Sequence, residues 1–310
     1  MISVVIPIYN EENNILPMYG RMTAVFDKLN VEREFIYVND GSVDDSELVI
    51  RQLADQDEDV KYINFSRNFG HQIAVSAGLE FTVGDKVIII DADGQDPPEV
   101  IEQLYLKSLE GFEVVYAKRE ARKGDSIVKK ATAKWFYRIL NRITTFDIPL
   151  DTGDFRIMDR KVVDQLINMP ERHKFLRGQI SWIGFNQTSV TYKREERMSG
   201  NSGYTYAQMV RFALDGITSF SNWPLKIATI SGFLFSFIGF ILILYTLYSK
   251  YYSPSYQSGW ASQMITIIFI GGIQLIGIGI IGEYVSRMNE NIKNRPLYII
   301  KDSNIPYASD

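Results

Sequence analysis

The chain has 310 residues, with 33 Lys and Arg against 37 Asp and Glu, so its formal net charge is −4. A protein without a basic excess is not expected to be a general nucleic-acid binder. The absence of Cys and the presence of only two His exclude disulfide scaffolds, thiol nucleophiles and zinc sites rich in Cys or His. Any metal site in this chain must therefore use oxygen ligands.

Short apolar runs alternate with helical patterns over roughly the first third of the chain. Five runs predict strands: 3–9, 35–38, 60–65, 86–90 and 113–117. Four stretches between them predict helices: 14–29, 44–55, 71–81 and 97–109. This alternation predicts an α/β fold, a mostly parallel sheet with helices on both faces. Ligands of such sheets bind at the carboxyl ends of the strands.

Carboxylates and amides follow three of the predicted strands. The first strand leads into Tyr9-Asn10-Glu11-Glu12, the second into Asn39-Asp40-Gly41-Ser42, and the fourth into Asp91-Ala92-Asp93-Gly94-Gln95. In extended geometry Asp91 and Asp93 lie on one side of the chain, where their charges repel unless a cation or protons intervene. Mg²⁺ commonly binds one or two carboxylates together with substrate phosphates. The alternative is an ordinary polar turn between strand and helix.

The residues Asp96-Pro97-Pro98-Glu99 have the pattern of a helix N-terminus. Asp96 is expected to be the N-cap, Pro97 the first helical residue and Glu99 the capping-box partner. This interpretation gives Asp96 a structural role.

Two uncharged stretches, 227–249 and 251–282, predict membrane helices near the carboxyl end. A helix needs about 20 apolar residues to cross a bilayer. The predicted spans are Leu225–Tyr248 and Met264–Tyr284, with a turn at Ser253-Pro254-Ser255; the alternative is a buried hairpin of a soluble protein. Lys and Arg flank the pair, so the positive-inside rule predicts a multi-pass plasma-membrane protein with its large N-terminal part in the cytoplasm. The expected divisions are 1–224, the hairpin 225–286 and a cytoplasmic tail 287–310.

A basic, aromatic, amphipathic pattern covers residues 126–143. Such a pattern is typical of a helix lying in the membrane interface, where it would bring the active site to a lipid. The alternative is an ordinary helix packed on the sheet.

Several motifs together resemble one enzyme family. They are Val4–Glu12, Asn39–Ser42, Asp91–Glu99, Thr152–Arg156, Arg194–Tyr204 and Gly282–Arg287. With the paired apolar helices, the set resembles the family 2 glycosyltransferases of GT-A fold, and among them the polyisoprenyl-phosphate glycosyltransferases of the bactoprenol glucosyltransferase branch. Dolichol-phosphate mannosyltransferase is a more distant relative. Asn39 is a departure, because Asp is commoner there.

The resemblance implies inverting transfer of a hexose, glucose by default, from a UDP-sugar to a polyprenyl phosphate such as undecaprenyl phosphate. It implies a GT-A catalytic domain followed by two transmembrane helices, and it suggests a homo-oligomer. The residues implied for nucleotide-sugar binding are Pro7, Tyr9, Glu11, Asp40 and Asp91. Those implied for a Mg²⁺ or Mn²⁺ ion are Asp91, Asp93 and Gln95.

The acceptor in such a reaction is a phosphate monoester, which is largely ionised at neutral pH and needs positioning more than a strong base. Asp93 and Asp154 are the predicted catalytic residues. Asp154 would orient the acceptor or stabilise the oxocarbenium-like centre; the alternative is an Asp paired with Arg156 or another cation.

Arg side chains match phosphate oxygens with two parallel hydrogen bonds. The residues predicted to bind the lipid phosphate are Arg119, Arg194, Arg197 and Ser202. The alternative for each cation is solvated surface charge.

Two other functions compete with this one. Processive polysaccharide synthases usually carry Gln-x-x-Arg-Trp and more spans, whereas Gln179-Ile180-Ser181-Trp182 lacks the Arg. A non-catalytic sugar-nucleotide-binding membrane scaffold would not need the acidic residues that this chain retains.

Overall fold

The computed structural model describes residues 1–120, 152–172, 174–195, 223–252 and 259–305. The described residues fall into two compact units. One lies within Met1–Phe212 and Arg295–Asp310, and the other lies within Ala213–Asn294.

The first unit is built from eight strands and six helices among the described residues. The strands are β1 Ile2–Ile8, β2 Arg33–Asn39, β3 Val60–Phe65, β4 Lys86–Ile89, β5 Val114–Arg119, β6 Thr152–Asp159, β7 Gln187–Tyr192 and β8 Ile300–Ser303. The helices are α1 Glu12–Leu29, α2 Ser46–Gln56, α3 His71–Glu80, α4 Val100–Ser108, α5 Arg160–Ile167 and α6 Leu176–Ile183. The five predicted strands and four predicted helices are confirmed within a few residues.

The strands form one sheet in the order β7-β5-β6-β4-β1-β2-β3-β8. The pairs β1–β2, β1–β4, β2–β3 and β5–β7 are parallel, whereas β6 and β8 run antiparallel to their neighbours. The predicted α/β class with a mostly parallel sheet is confirmed, and the arrangement is GT-A-like. Because β6 runs the opposite way, its first residues lie at the edge where the parallel strands end: Thr152 pairs with Lys118 near the end of β5.

Apolar residues on both faces of the strands hold the sheet between two helical layers. In β1, Val4, Ile6 and Ile8 pack into the core shared with α1 and α4, whereas Val5 faces the core beneath α3. This alternation follows the two-residue period of a strand. Burying each such side chain contributes roughly 1.5–3 kcal/mol to folding.

The segment after the second unit returns to the sheet of the first unit. Strand β8 pairs antiparallel with β3, and Tyr298 stacks on Phe65 with ring centroids 5.0 Å apart. Its hydroxyl donates to Glu80 at 2.5 Å. The sequence-based division into a tail from residue 287 stays a prediction, but the structure places part of that tail in the sheet.

The second unit consists of two long helices, α7 Trp223–Tyr252 and α8 Trp260–Ile292. Their apolar portions, Trp223–Ile241 and Phe269–Ile292, have mean hydropathies of 1.7 and 1.5 and are long enough to cross a bilayer. Phe235 and Phe269 meet edge to face at 5.5 Å between the helices. The predicted turn at 253–255 and the predicted interfacial helix at 126–143 lie outside the described residues.

Candidate active site

The predicted site residues that the structure describes lie along one edge of the sheet. Pro7, Tyr9 and Glu11 are at or after the end of β1, and Asp40 follows β2. The Asp91–Gln95 segment follows β4, while Arg119 ends β5 and Arg194 follows β7. Asp154 reaches the same edge because β6 is antiparallel. Arg197 and Ser202 lie outside the described residues.

A pocket of about 130 Å³ opens between the ends of β1 and β2 and the start of α3. Pro7, Tyr9 and Asp40, all predicted from the sequence, line it together with Gly70 and His71. Ligand pockets for drug-sized molecules usually enclose roughly 300–1,000 Å³, so this pocket suits one part of a larger ligand. Glu11 is not among its lining residues; its carboxylate accepts a hydrogen bond from the Asn14 amide.

Asp40 and Gly41 hold the loop that completes this pocket. The Asp40 carboxylate accepts the backbone N–H groups of Phe69 at 2.6 Å and Gly70 at 2.9 Å. Burial raises the pKa of Asp40, and these two hydrogen bonds partly offset the rise. Gly41 has φ +66°, and an added Cβ would lie 2.3 Å from the carbonyl carbon of Arg67. Only glycine therefore lets the two loops meet here.

Asn39 takes part in a buried chain of polar side chains. Its Nδ2 donates to Oδ1 of Asn64 at 3.0 Å, and Asn64 in turn donates to the Asp302 carboxylate at 3.2 Å. Oδ1 of Asn39 also accepts the N–H of Ser42. An amide can both donate and accept, so Asn at this position satisfies partners that a carboxylate could not.

His71 stands between two carboxylates of the edge. Its Nε2 lies 3.1 Å from Oδ2 of Asp154 and 3.6 Å from Oδ1 of Asp91. Burial by itself lowers the pKa of His71, but Asp91 and Asp154 outweigh it and raise the pKa to about 9. The imidazole is therefore a cation at neutral pH, and it links β6 to the loop after β4.

Asp154 is almost fully buried, with 5 % of its surface exposed, and both of its oxygens are engaged. Oδ1 accepts from Nε of Arg177 at 2.9 Å, and Oδ2 accepts from Nε2 of Gln72 at 3.0 Å in addition to contacting His71. Burial raises the pKa of Asp154, but Arg177, His71 and Arg156 together hold it well below its usual value. The carboxylate thus stays ionised and is a poor general base.

Strand β4 ends at Ile89, and the chain turns at residues 92–94 within the Asp91–Gln95 segment. Asp91 points to His71, while Oδ1 of Asp93 accepts the N–H of Gln95 at 3.0 Å and its Oδ2 lies 3.9 Å from Nη2 of Arg194. The extended geometry that the sequence suggested for this pair is therefore wrong.

The same segment has the charge that a cation site requires. Burial and the neighbouring carboxylates together raise the pKa of Asp91 to about 6, although His71 acts in the opposite direction. Oδ1 of Asp91 is buried without a hydrogen-bond partner among the described residues. No group of three or more His, Asp or Glu side chains in the described part of the chain is placed to hold an ion. Two carboxylates suffice for Mg²⁺ when substrate phosphates and water complete the shell, so the residues fit a hard cation.

Asp96 does not cap a helix, so the sequence-based interpretation is wrong. Helix α4 begins at Val100 with Glu99 as its N-cap. The fully buried Asp96 carboxylate accepts from the Tyr192 hydroxyl and from Nε of Arg194, and it lies 3.6 Å from Arg119. Tyr192 and Arg194 are 96 and 98 positions from Asp96 along the chain, so no local pattern reveals these contacts.

Four functional-site residues were not assigned from the sequence: His71, Gln72, Arg177 and Tyr192. His71 stands at the start of α3, Gln72 follows it, and Arg177 lies in α6. His71 and Gln72 come soon after the predicted strand 60–65, and their place near a strand end is the sequence feature that could have indicated them. Tyr192 has no comparable signal, since it ends a strand that the sequence analysis did not predict.

Comparison with known proteins adds to this geometry. Residues 3–167 match glycosyl transferase family 2, and residues 223–288 match the GtrB C-terminal hairpin. An uncharacterized glycosyltransferase, YkcC of Bacillus subtilis, is 46 % identical over 301 residues, covering 97 % of this chain and 93 % of that one. The bactoprenol glucosyl transferase of Shigella phage SfII is 42 % identical over 303 residues, covering 97 % and 98 %. The chain therefore belongs to glycosyl transferase family 2 and is a glycosyltransferase.

Proposed function

We propose that this enzyme transfers a hexose, glucose in the first instance, from a UDP-sugar to the phosphate of a polyprenyl lipid such as undecaprenyl phosphate. The observation that carries the proposal is the likeness to bactoprenol glucosyl transferases over 97 % of the chain, which includes the apolar hairpin. The product would be a polyprenyl-phosphate hexose, inverted at the anomeric carbon.

The charges at the sheet edge suit a phosphate acceptor. A phosphate monoester is already largely ionised at neutral pH, so its oxygen can attack the anomeric carbon without a strong base. Asp154, whose pKa is held well below its usual value, is suited to orienting cations and not to removing a proton. Arg119 and Arg194 supply positive charge at the same edge.

The donor is assigned to the pocket and the adjoining acidic turn. Pro7, Tyr9 and Asp40 line the pocket and would bind the nucleoside, with Glu11 beside them. Asp91, Asp93 and Gln95 would hold Mg²⁺ or Mn²⁺. Such an ion neutralises charge that develops on the leaving diphosphate when it is bound.

The hairpin supports a membrane location for the reaction. Helices α7 and α8 are long and apolar enough to cross a bilayer, and they are covalently joined to the catalytic unit. Anchoring the chain in this way would keep the enzyme near an acceptor that cannot leave the membrane. By the positive-inside rule the catalytic unit would face the cytoplasm of a multi-pass plasma-membrane protein.

Release of UDP from UDP-glucose by the full-length protein tests the proposal. We expect release that requires both Mg²⁺ or Mn²⁺ and undecaprenyl phosphate, and that is lost in Asp91→Asn. The matched control is Asp164→Asn, which removes an exposed carboxylate paired with Arg160 on the surface of α5 and should keep full activity. Release that is independent of lipid would contradict the proposed acceptor, and binding of UDP-glucose without any turnover would favour a scaffold.

A further inference from the structure

A buried carboxylate outside the proposed catalytic pair joins two arginines at the site edge. Asp96 has no exposed surface. Its Oδ1 accepts from the Tyr192 hydroxyl and from Nε of Arg194, the latter at 3.3 Å. Its Oδ2 lies 3.6 Å from Nη2 of Arg119. One side chain therefore contacts both described arginines that are candidates for phosphate binding.

Tyr192 closes the network from the other side. Nε of Arg119 donates to the Tyr192 hydroxyl oxygen at 3.3 Å, while that hydroxyl donates its proton to Asp96. Burial and the adjacent Asp96 raise the pKa of Tyr192, so the phenol keeps its proton. The three side chains beside Asp96 come from the ends of β5 and β7, and the network fixes them relative to the loop after β4.

The arrangement is costly as a purely structural device. A buried charge is penalised by desolvation unless it is well paired, and Oδ2 of Asp96 has no hydrogen bond among the described residues. The single negative charge of Asp96 is shared between two guanidinium groups, and Oδ2 of Asp93 lies 3.9 Å from Nη2 of Arg194. Arg119 and Arg194 keep 30 % and 18 % of their side-chain surface exposed, so both can contact a ligand.

The backbone leaves room for one of these guanidinium groups. A Cβ added at Gly153 would lie 2.6 Å from Nη2 and 3.3 Å from Cζ of Arg119, and the other near atom is Nε of the same side chain. The three nearest atoms to this position thus all belong to the Arg119 head group, which occupies the space that a side chain at residue 153 would take. Substitution by Ala would displace a flexible side-chain end and leave the surrounding backbone in place.

We propose that Asp96 is a positioning residue that, together with Tyr192, holds Arg119 and Arg194 as a pair that binds a substrate phosphate. The absence of a side chain at Gly153 leaves the room that the Arg119 head group needs. The inference rests on the proposed function, because that function supplies the phosphate-bearing substrates. Two sources present the required oxyanion: the phosphate monoester of the acceptor and the diphosphate of the donor. Paired guanidinium groups suit both, since each can form two parallel hydrogen bonds to phosphate oxygens.

Kinetics of full-length variants in lipid nanodiscs test this role. The variants are Gly153→Ala, Asp96→Asn and Tyr192→Phe, and the control is Gly20→Ala, where an added Cβ meets nothing within 4 Å. We expect Gly153→Ala and Asp96→Asn to raise the KM for one substrate about tenfold or more and to change the other less than about twofold, because hydrogen bonds to a charged group are lost. Tyr192→Phe should raise the same KM by a smaller factor.

The affected substrate identifies the source of the phosphate. A selective rise in the KM for undecaprenyl phosphate assigns the pair to the acceptor, and a selective rise for UDP-glucose assigns it to the donor. If Asp96→Asn does not fold, Gly153→Ala decides, because the atoms nearest to its added Cβ belong to the flexible Arg119 head group. Unchanged KM values for both substrates in folded Gly153→Ala would overturn the proposal.

Direct binding separates this inference from the proposed function. Equilibrium binding of UDP-glucose and of undecaprenyl phosphate is measured on the same nanodisc samples. If the wild-type protein makes no glycolipid, the proposed function fails. Weaker binding of either probe to Gly153→Ala than to Gly20→Ala would still support the positioning role, and equal binding of both probes would contradict it.

Discussion

Asp154 gathers three side chains from two helices around one buried carboxylate. Arg177 donates a hydrogen bond to Oδ1 of this carboxylate. Gln72 donates to Oδ2, which His71 also contacts. This environment matches the alternative in which the residue is an ion-pair partner, although the cation is Arg177. The Arg156 guanidinium instead donates to the backbone carbonyls of Asp154 and Gly153. A catalytic role for Asp154 stays a prediction. In that role the residue would act through the cations that it orients.

Substituting Asp154 by Asn removes the negative charge with little change in shape. We expect kcat to fall about a hundredfold, the order seen when a preorganised charge at a reacting centre is removed. The thermal unfolding midpoint should fall as well, because Arg177 and His71 lose their buried counter-charge. Turnover is measured as UDP formed per folded enzyme, with Asp164→Asn as the exposed control. Near-normal turnover in a folded Asp154→Asn protein would reject a role in the reaction.

The pKa of His71 predicts how stability depends on pH. Its value of about 9 in the folded protein lies above the ordinary 6.5, so folding favours the protonated ring. The stability gained from this proton is fully present below pH 6.5 and is lost as the pH rises through about 9. We expect the difference in unfolding midpoint between wild type and His71→Gln to shrink between pH 6.5 and about pH 10. A difference that stays constant or widens over this interval would show that the ring is not held as a cation.

At the scale of the elements, strand β8 ties the end of the described chain to the sheet edge beside β3. Asp302 accepts from Asn64 and pairs with Arg51 at 2.7 Å, and Tyr298 lies against Phe65 just before the strand. Since Asn64 also accepts a hydrogen bond from Asn39, these contacts lead from the tail to the loop that carries Asp40. The returning segment therefore supports the pocket edge.

Truncating Tyr298 to Ala tests this support. We expect a loss of about 3 kcal/mol in the free energy of unfolding, because a stacked ring and its hydrogen bond to Glu80 are removed. Denaturant unfolding of the full-length protein, followed by tryptophan fluorescence, measures the loss. The neighbouring Ile299→Ala is the control, since Ile299 is 55 % exposed and should matter little. Equal stability of the two variants would show that the tail contributes nothing through this ring.

The elements that the sequence predicted are those with a regular pattern of apolar residues. Strands β1 to β5 contain short, mainly apolar runs, such as residues 35–38 in β2, and α1 repeats its buried Ile15, Met18 and Met22 at helical spacing. Strand β6 was not predicted, because its run includes the charged residues Asp154 and Arg156, which only the tertiary structure buries. Strand β8 is four residues long and depends on β3 for its pairing.

The candidate site likewise has residues that the sequence predicted and residues that it did not. The pocket residues Pro7, Tyr9 and Asp40 could be predicted because parallel strands end at one edge. The network of Asp96 could not, because Tyr192, Arg119 and Arg194 reach it through strand order and not through neighbouring sequence. The local sequence predicted that Asp96 caps a helix, but in the folded chain Asp96 is buried and bonded to Tyr192 and Arg194 instead.

At the scale of the whole molecule, the chain joins a family 2 glycosyltransferase unit to an apolar helical hairpin. An added Cβ at each of five glycines of α8 would meet no atom within 4 Å in the described residues, the nearby backbone of the helix itself aside: Gly271, Gly272, Gly277, Gly279 and Gly282. Assembly into a homo-oligomer stays a prediction. The proposed reaction requires a donor site and a membrane anchor, and the pocket at the sheet edge and the apolar hairpin are the candidates for these two parts.

Mass analysis of the lipid product tests the central claim most directly. The purified full-length protein is incubated with undecaprenyl phosphate, Mg²⁺ or Mn²⁺, and each of several UDP-sugars. We predict an undecaprenyl-phosphate hexose that forms fastest from UDP-glucose and does not form when the metal is chelated. Recovery of unmodified lipid with every donor, from a protein that is folded and membrane-embedded, would contradict the proposed function.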